Sequence, residues 1–358
     1  MTTCFGYGAH EAYGALAPIH FERRALRADD VAIDIAFCGV CHSDAHQINN
    51  DWSNTVYPCV PGHEIVGRVT AIGPEVTRFK VGDRVAVGCL VDSCLQCSPC
   101  ADGAEQLCAQ GPTATYNGRD RQTGELTLGG YADHIVVREH FVLRVPDTLD
   151  PLLAAPLLCA GITVWSPLRK YGVGAGTKMA VVGLGGLGHL AVKLGVALGA
   201  EITVITSSPG KVDDAIKLGA HRVLLSSGAQ AMQAAANSFD FILDTIPQRH
   251  NTNPYLMLLG RDGKLVVVGA IDLLEPVHGG LLIRNNRTLA GSLIGGIRAT
   301  QELLDFCAEH QVLPECERIE AGEINEAFSR MLKNDVKYRF VIDMATLHER
   351  PHRPSPSK

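Results

Sequence analysis

The feature that most restricts how this chain can fold lies between residues 179 and 205. An apolar run, residues 179–182, leads into Gly183-Leu184-Gly185-Gly186-Leu187-Gly188. A helix-length run follows to about residue 198, and a second apolar run occupies residues 202–205. Strand, glycine turn, helix and strand in that order describe a parallel pair joined by a crossover helix, because parallel strands cannot be linked by a hairpin. Gly183 permits the tight turn, Gly185 lets backbone approach a pyrophosphate, and Gly188 lets the helix pack closely on the strand. With Gly186 and Leu187 they form a candidate phosphate cradle, since the first N–H groups of a helix and its positive dipole end attract an anion. The alternation continues: a helix is expected over 211–218, strands over 223–225, 239–244 and 264–268, and a closing apolar segment over 288–294. That is a parallel sheet with helices on both faces.

A different chemistry is written upstream. Over residues 31–37, Val31, Ile33, Ile35 and Phe37 alternate with Ala32, Asp34 and Ala36, the period of a strand with one buried face. The strand runs into Cys38-Gly39-Val40-Cys41-His42-Ser43-Asp44, with His46 just beyond. Further on, Pro58 and Pro61 hold an extended approach to Gly62-His63-Glu64. Thiolate, imidazole and carboxylate are zinc ligands, and a catalytic zinc uses three protein ligands while keeping one position open. Cys41 and His63 can supply two of them; Cys38 is a rival for the first, and the third must come from elsewhere. Next comes Cys94-x2-Cys97-x2-Cys100-x7-Cys108, a set that can wrap one tetrahedral ion unaided, as closed structural zinc sites do. A redox motif needs only two thiols, and an iron–sulfur cluster fits the ligands but not the rest of the chain. Short strands over 64–72, 84–87, 131–137 and 141–145, with turns at 73–74 and 82–83, make this an irregular β-rich region that ends in a helix over 147–158. Cys159 follows; its apolar surroundings alone read as those of a core thiol.

A length of 358 residues fits two domains. The net charge of −6 carries no basic stripe, which argues against a nucleic-acid partner. The apolar stretch 152–165 is too short to span a bilayer and is broken by Pro156. Residues 1–13 lack the charged segment and apolar core of a secretory leader, so a cytoplasmic protein with no membrane partner is expected. In such a chain twelve cysteines point to thiols and metal sites rather than disulfides. Cys4, Cys38, Cys59, Cys89, Cys307 and Cys316 read as ordinary small thiols. After the second strand of the glycine-turn unit comes Thr206-Ser207-Ser208-Pro209-Gly210-Lys211. No carboxylate stands there to take the ribose hydroxyl of NAD. Two hydroxyls and a lysine suit a 2′-phosphate, so NADP(H) is the expected cofactor, with Asp213 and Asp214 inside the next helix. The Pro- and Ser-rich tail, residues 349–358, is expected to be mobile.

Together these motifs resemble one family, the zinc-dependent medium-chain alcohol dehydrogenases, in particular the cinnamyl alcohol dehydrogenase branch with its bacterial NADPH-dependent aldehyde reductases. The specific segments are Cys38 to Asp44, Tyr57-Pro58-Cys59-Val60-Pro61-Gly62-His63-Glu64-Ile65-Val66-Gly67, and Tyr338-Arg339-Phe340-Val341-Ile342-Asp343. The likeness covers about residues 5–344. It implies an α/β fold: a Rossmann-type doubly wound parallel sheet (156–299) inserted in a β-rich GroES-like catalytic domain (1–155 and 300–358) that carries a structural zinc lobe. It further implies two zinc ions per chain and a homodimer.

By that resemblance Cys41, His63 and Cys159 bind catalytic zinc, with Glu64 as an exchangeable ligand, while Cys94, Cys97, Cys100 and Cys108 bind structural zinc. Asp44 matches a carboxylate that holds the zinc-bound imidazole in one tautomer. Ser43 matches the hydroxyl beside the bound alcohol, and His46 the histidine that ends the proton relay. His42 matches a pyrophosphate contact, Thr163 and Arg339 cofactor contacts, and Ser207, Ser208 and Lys211 the phosphate-selecting loop. Val268, Ser292, Leu293 and Ile294 match backbone contacts to the nicotinamide. Leu293 stands where the plant lignin enzymes commonly carry phenylalanine, which argues against a strict cinnamyl preference. The implied reaction is reversible hydride transfer between NADP(H) and a primary alcohol or aldehyde. The rival readings are an NAD-dependent polyol or sugar dehydrogenase of the same fold, a zinc-free quinone reductase relative, and a zinc-stabilised binding protein without catalysis.

Overall fold

The strand Asp30–Val40 is the spine of one sheet. It pairs antiparallel with Ile65–Ile72 along most of its length, with His134–Arg138 at its start and with Arg339–Asp343 at its end. The computed structural model describes residues 2–269 and 273–347; the tail expected to be mobile lies outside the described residues. The seven-stranded sheet runs Cys316–Glu320, Arg339–Asp343, Asp30–Val40, Ile65–Ile72, Arg84–Val87, Leu143–Arg144, with His134–Arg138 pairing the spine off this path. Alternation along the spine predicted one buried face. Instead Val31, Ala32, Ile33 and Ile35 are all buried and Asp34 alone is exposed, because both faces of the strand are covered. A hairpin of Thr2–Gly8 and Ala17–Arg23, absent from the sequence reading, precedes it.

The helix expected over 147–158 is broken. Asp150 caps a single turn, Pro151–Ala154, by accepting a hydrogen bond from the Leu152 amide, and Ala155–Leu158 is a 3₁₀ turn. Pro156 has no N–H to continue the α ladder. Cys159 stands at this break, and the helix Ala160–Lys170 begins after it.

By its internal packing the chain divides into Met1–Cys159 with Gly296–Glu309 and Pro314–Lys358, and Ala160–Gly295 with His310–Leu313. The second unit is built on six parallel strands in the order Arg222–Leu225, Glu201–Thr206, Lys178–Val182, Phe239–Asp244, Leu259–Val267, Thr288–Gly291. In chain order that is 3-2-1-4-5-6, the doubly wound arrangement. Its central strands are buried on both faces, as their unbroken apolar runs require. Ala180, Val182, Ile205, Ile242, Leu259 and Leu265 share one core. The order reverses between Lys178–Val182 and Phe239–Asp244, and the crevice at the carboxyl ends of such a pair is where open α/β sheets take their ligands. No single helix among the described residues is long and apolar enough to cross a membrane.

Candidate functional site

The spine strand ends at Val40, and Cys41 is the N-cap of the next element, the helix His42–Asn49. Strand alternation separates the two rival thiols. Cys38 is buried, with its sulfur packed near Gly62 and Gly130. Cys41 turns the other way, to within 3.9 Å of the Cys159 sulfur. The ligand atoms of Cys41, His63, Glu64 and Cys159 all lie within 4.8 Å of one another, and all four residues are buried. Two sulfurs, an imidazole nitrogen and a carboxylate oxygen form a donor set suited to zinc. One Glu64 oxygen is buried without a hydrogen-bond partner; the other is paired with Arg339.

Asp44 sits behind this quartet and is fully buried. Its Oδ1 accepts from His63 Nδ1 at 2.9 Å and from the Gly62 amide at 3.2 Å. Its Oδ2 accepts from the Cys41 amide at 3.0 Å and from the Tyr131 hydroxyl at 2.9 Å. The proton of the imidazole is therefore held on Nδ1, which leaves Nε2 free to ligate a metal. The hydrogen bond with Cys159 pulls the Cys41 thiol well below its ordinary range, burial opposes that, and Arg339 and His63 add to it. Burial pushes the Glu64 carboxyl up to about 7 against the pull of Arg339.

Ser43 and His46 are three residues apart on the helix His42–Asn49, a spacing that makes them neighbours on its surface. His46 Nδ1 bonds Asp51 at 2.7 Å, and its ring lies 5.9 Å from that of Trp52. His42 opens the helix, half-buried.

The four-cysteine lobe is equally compact: the ligand atoms of Cys94, Cys97, Cys100 and Cys108 also fall within 4.8 Å of one another. Backbone amides point at the sulfurs. Cys97 donates to Cys94 at 3.4 Å, Cys94 to Cys108 at 3.5 Å, and Ala109 to Cys97 at 3.3 Å. Amides of Gln96 and Cys97 bring the Cys94 thiol down to about 6. Such amide–thiolate bonds prepare ligands that must be deprotonated to hold a metal. The lobe is anchored by Glu105, whose buried carboxylate bonds His140 Nε2 at 2.8 Å and the Ile297 amide at the start of the helix Ile297–His310 at 3.0 Å.

In the second unit Gly183 has φ +91°, in the left-handed region, and a Cβ on Gly188 would come within 2.2 Å of the Gly183 carbonyl oxygen. Both glycines are required for the helix Gly188–Ala197 to start this close to the turn. A Cβ on Gly185 would point into open space, as a cradle for a bulky anion demands. The Lys211 ammonium donates to the Leu184 carbonyl at 2.8 Å, so it is tied to the glycine turn. Ser207 and Ser208 are exposed beyond the end of Glu201–Thr206, and no carboxylate occupies that end. Thr163 is buried in Ala160–Lys170. The Ser292 amide donates to Val267 at 3.2 Å, Val268 and Ile294 are half-buried, and Leu293 is exposed. Arg339, expected as a cofactor contact, spends one nitrogen on Glu64 and leaves Nε buried and unpartnered.

Comparison with known proteins agrees with this geometry. The family description "Alcohol dehydrogenase GroES-like domain" matches residues 27–147, and "Zinc-binding dehydrogenase" matches residues 186–309. The chain is 50% identical over 343 residues to the aldehyde reductase YahK of Escherichia coli, covering 95% of this chain and 98% of that one. The chain belongs to the zinc-binding alcohol dehydrogenases. It is also 51% identical over 348 residues to NADP-dependent alcohol dehydrogenase C 1 of Mycolicibacterium smegmatis, covering 97% of this dehydrogenase and 99% of the relative. Among solved structures, a cinnamyl alcohol dehydrogenase of Sorghum bicolor superposes with a TM-score of 0.94 at 45% identity, covering 98% of this chain and 100% of the other.

Four residues beside these candidate metal sites were given no role in the sequence reading, Cys89 being read there as an ordinary thiol. Tyr131 supplies one of the four hydrogen bonds to Asp44. The Tyr116 ring lies 5.5 Å from that of His63. Cys89 is close enough to Cys159 for a thiol hydrogen bond that lowers it below its ordinary range, against burial. Glu105 lies among the lobe's cysteines and reads as a surface acid. No local pattern marks any of them, since each reaches its partner only through the folded sheet.

Proposed function

We propose that the protein transfers hydride reversibly between NADP(H) and a primary alcohol or its aldehyde, with zinc held by Cys41, His63 and Cys159. The observation that carries this reading is the buried quartet of Cys41, His63, Glu64 and Cys159 with Asp44 fixing the imidazole tautomer. Bound there, zinc supplies polarisation of the substrate oxygen, and the nicotinamide supplies or accepts the hydride. The chain's own residues do the rest. Glu64, with one oxygen unpartnered, is poised as a fourth, exchangeable ligand. Ser43 holds the alcohol proton and passes it towards His46, whose imidazole is oriented by Asp51. The four-cysteine lobe holds a second, structural zinc, so the proposal is two ions per chain. NADP(H) is supported by the names of the close relatives and by the strand end at Thr206, where exposed serines replace the acid that NAD would need. A cytoplasmic location and a homodimer belong to the same proposal; the first rests on the sequence of residues 1–13 and the second on the family resemblance.

The test is a panel of aliphatic and aromatic aldehydes with NADPH and with NADH, followed by loss of absorbance, alongside metal analysis of the same preparation. Reduction with NADPH preferred and two zinc ions per chain are expected. Equal rates with both cofactors remove the selectivity argument; one zinc per chain and no turnover supports a metal-stabilised binding protein instead. Cys41→Ser abolishes turnover and leaves cofactor binding intact.

A further inference from the structure

The strand Phe239–Asp244 ends at the point where the parallel sheet reverses its order, with Asp244 in register with Val182, the last residue before the glycine turn. Asp244 is fully buried, which is unfavourable for a carboxylate unless it is paired. Its partner is six residues on: His250 Nε2 bonds Asp244 Oδ2 at 2.7 Å. The other Asp244 oxygen accepts from the Ile246 amide at 3.1 Å. His250 Nδ1 in turn meets the Gln248 carbonyl at 2.7 Å. Both ring nitrogens thus face oxygen atoms, which fixes the plane of the ring. Burial raises the Asp244 carboxyl and His250 opposes the rise.

The loop between these two residues is strapped at its near end as well. The Thr245 hydroxyl donates to the Val182 carbonyl at 2.8 Å, and the Thr245 amide donates to the same oxygen at 3.0 Å. A Cβ on Gly183 would lie 2.9 Å from that hydroxyl, and one on Gly269 would lie 2.4 Å from the Thr245 carbonyl oxygen. Thr245 and Ile246 therefore lie directly beside the glycine turn, and the loop 245–249 that they begin is closed back on the strand by His250.

We propose that Asp244 and His250 form a latch that positions residues 245–249 as one wall of the dinucleotide crevice, and that the latch sets affinity for the nicotinamide cofactor. The proposal rests on the dinucleotide reading of the second unit. Neither residue lies among the metal ligands, and the reading above gives neither any role in proton transfer. Without the imidazole, the buried carboxylate loses its side-chain hydrogen-bond partner and its cheapest relief is to swing out towards water, which takes the start of the loop with it. The wall is then ordered only when the cofactor binds, and that ordering cost appears as weaker binding.

The test is NADPH titration by fluorescence, with steady-state kinetics on the zinc-loaded protein. His250→Ala raises Kd and KM for NADPH about tenfold while kcat at saturating NADPH falls less than threefold. His250→Gln, whose side-chain amide reaches where Nε2 stood, recovers most of the affinity. Wild-type Kd in His250→Ala overturns the latch, and so does a His250→Gln protein that binds no better than His250→Ala. If His250→Ala does not fold, Thr245→Val removes the hydroxyl strap at the loop's other end; a several-fold rise in Kd is expected, and an unchanged Kd again overturns the proposal. Wild-type protein that binds neither NADPH nor NADH removes the dinucleotide reading itself and the latch with it, an outcome distinct from variants that match a binding-competent wild type.

Discussion

Asp44→Asn isolates what a single carboxylate does for the metal quartet. Asp44 accepts four hydrogen bonds in a fully buried setting, two on each oxygen. Asparagine keeps the shape but offers an acceptor on one side only. If the amide group faced His63 and Gly62, the imidazole would have to accept on Nδ1 and protonate Nε2, and it could not ligate. The carbonyl therefore turns to His63 and Gly62, and the amide group faces the Cys41 N–H and the Tyr131 hydroxyl. Tyrosine adapts, because a hydroxyl can accept as well as donate. The Cys41 N–H cannot, and a buried orphan donor costs about 1–3 kcal/mol. At about 2–4 °C per kcal/mol for a domain of this size, the melting temperature falls by about 2–12 °C. Loss of the charge behind the imidazole also weakens the metal by about 10- to 100-fold, the usual effect of removing such a partner. Thermal melts with chelator competition measure both. An Asp44→Asn protein that resists chelator like wild type and melts at the same temperature would refute the argument that this carboxylate, rather than the backbone around it, fixes His63.

Three further outcomes follow from neighbouring features. A Cβ on Gly39 would stand 1.9 Å from Glu64 Oε2, so Gly39→Ala displaces Glu64 from Arg339; about 3–5 kcal/mol of stability is lost with zinc content retained, checked by denaturant melts and metal analysis. Glu105→Ala removes the bonds that tie the cysteine lobe to His140 and to the start of the helix Ile297–His310 and costs about 2–4 kcal/mol, read as faster zinc release from the lobe and a lower melting temperature. Burial raises the Asp120 carboxyl, but bidentate bonds from Arg27 and amides of Thr123 and Gln122 hold it far below its ordinary range. A depressed carboxyl stabilises the fold above its unfolded pKa of about 3.9 and loses that contribution as pH falls towards the folded value. Asp120→Asn should therefore flatten the decline in melting temperature below about pH 4, and an unchanged acid limb would remove this pair from the account.

The second unit was the more legible half, because its signals are local. Gly183 and Gly188 are required by backbone geometry at the turn itself, and the apolar runs that became Lys178–Val182, Glu201–Thr206 and Phe239–Asp244 are buried on both faces, so their periodicity needs no partner to interpret. The four-cysteine lobe was legible for the same reason: all its ligands lie within one short loop. The helix Ala160–Lys170 was missed because Pro167 and a β-branched run, Ile162 to Val164, argue against helix locally, and tertiary burial of Ile162, Val164, Trp165 and Leu168 overrides them. The first hairpin was missed because Pro18 argues locally against a strand, although Ile19 and Phe21 alternate with His20 and Glu22 along Ala17–Arg23.

Cys159 shows where sequence reasoning reached its limit and why. Among Leu157, Leu158, Ala160 and Ile162 a thiol is by default part of the core, and each of those neighbours is indeed buried. What distinguishes Cys159 is its backbone. The α ladder has failed at Pro156, the 3₁₀ turn Ala155–Leu158 has ended, and Cys159 takes φ −126°, ψ −68°, outside both helices that flank it. A residue freed from the helical path can aim its side chain where no helical residue at that position could, and this one aims at Cys41. The signal was thus present in the sequence as Pro156, three residues upstream, but its meaning depends on what lies opposite. Only the spine strand, ending at Val40 and delivering Cys41 to the same place, turns a helix break into a ligand position.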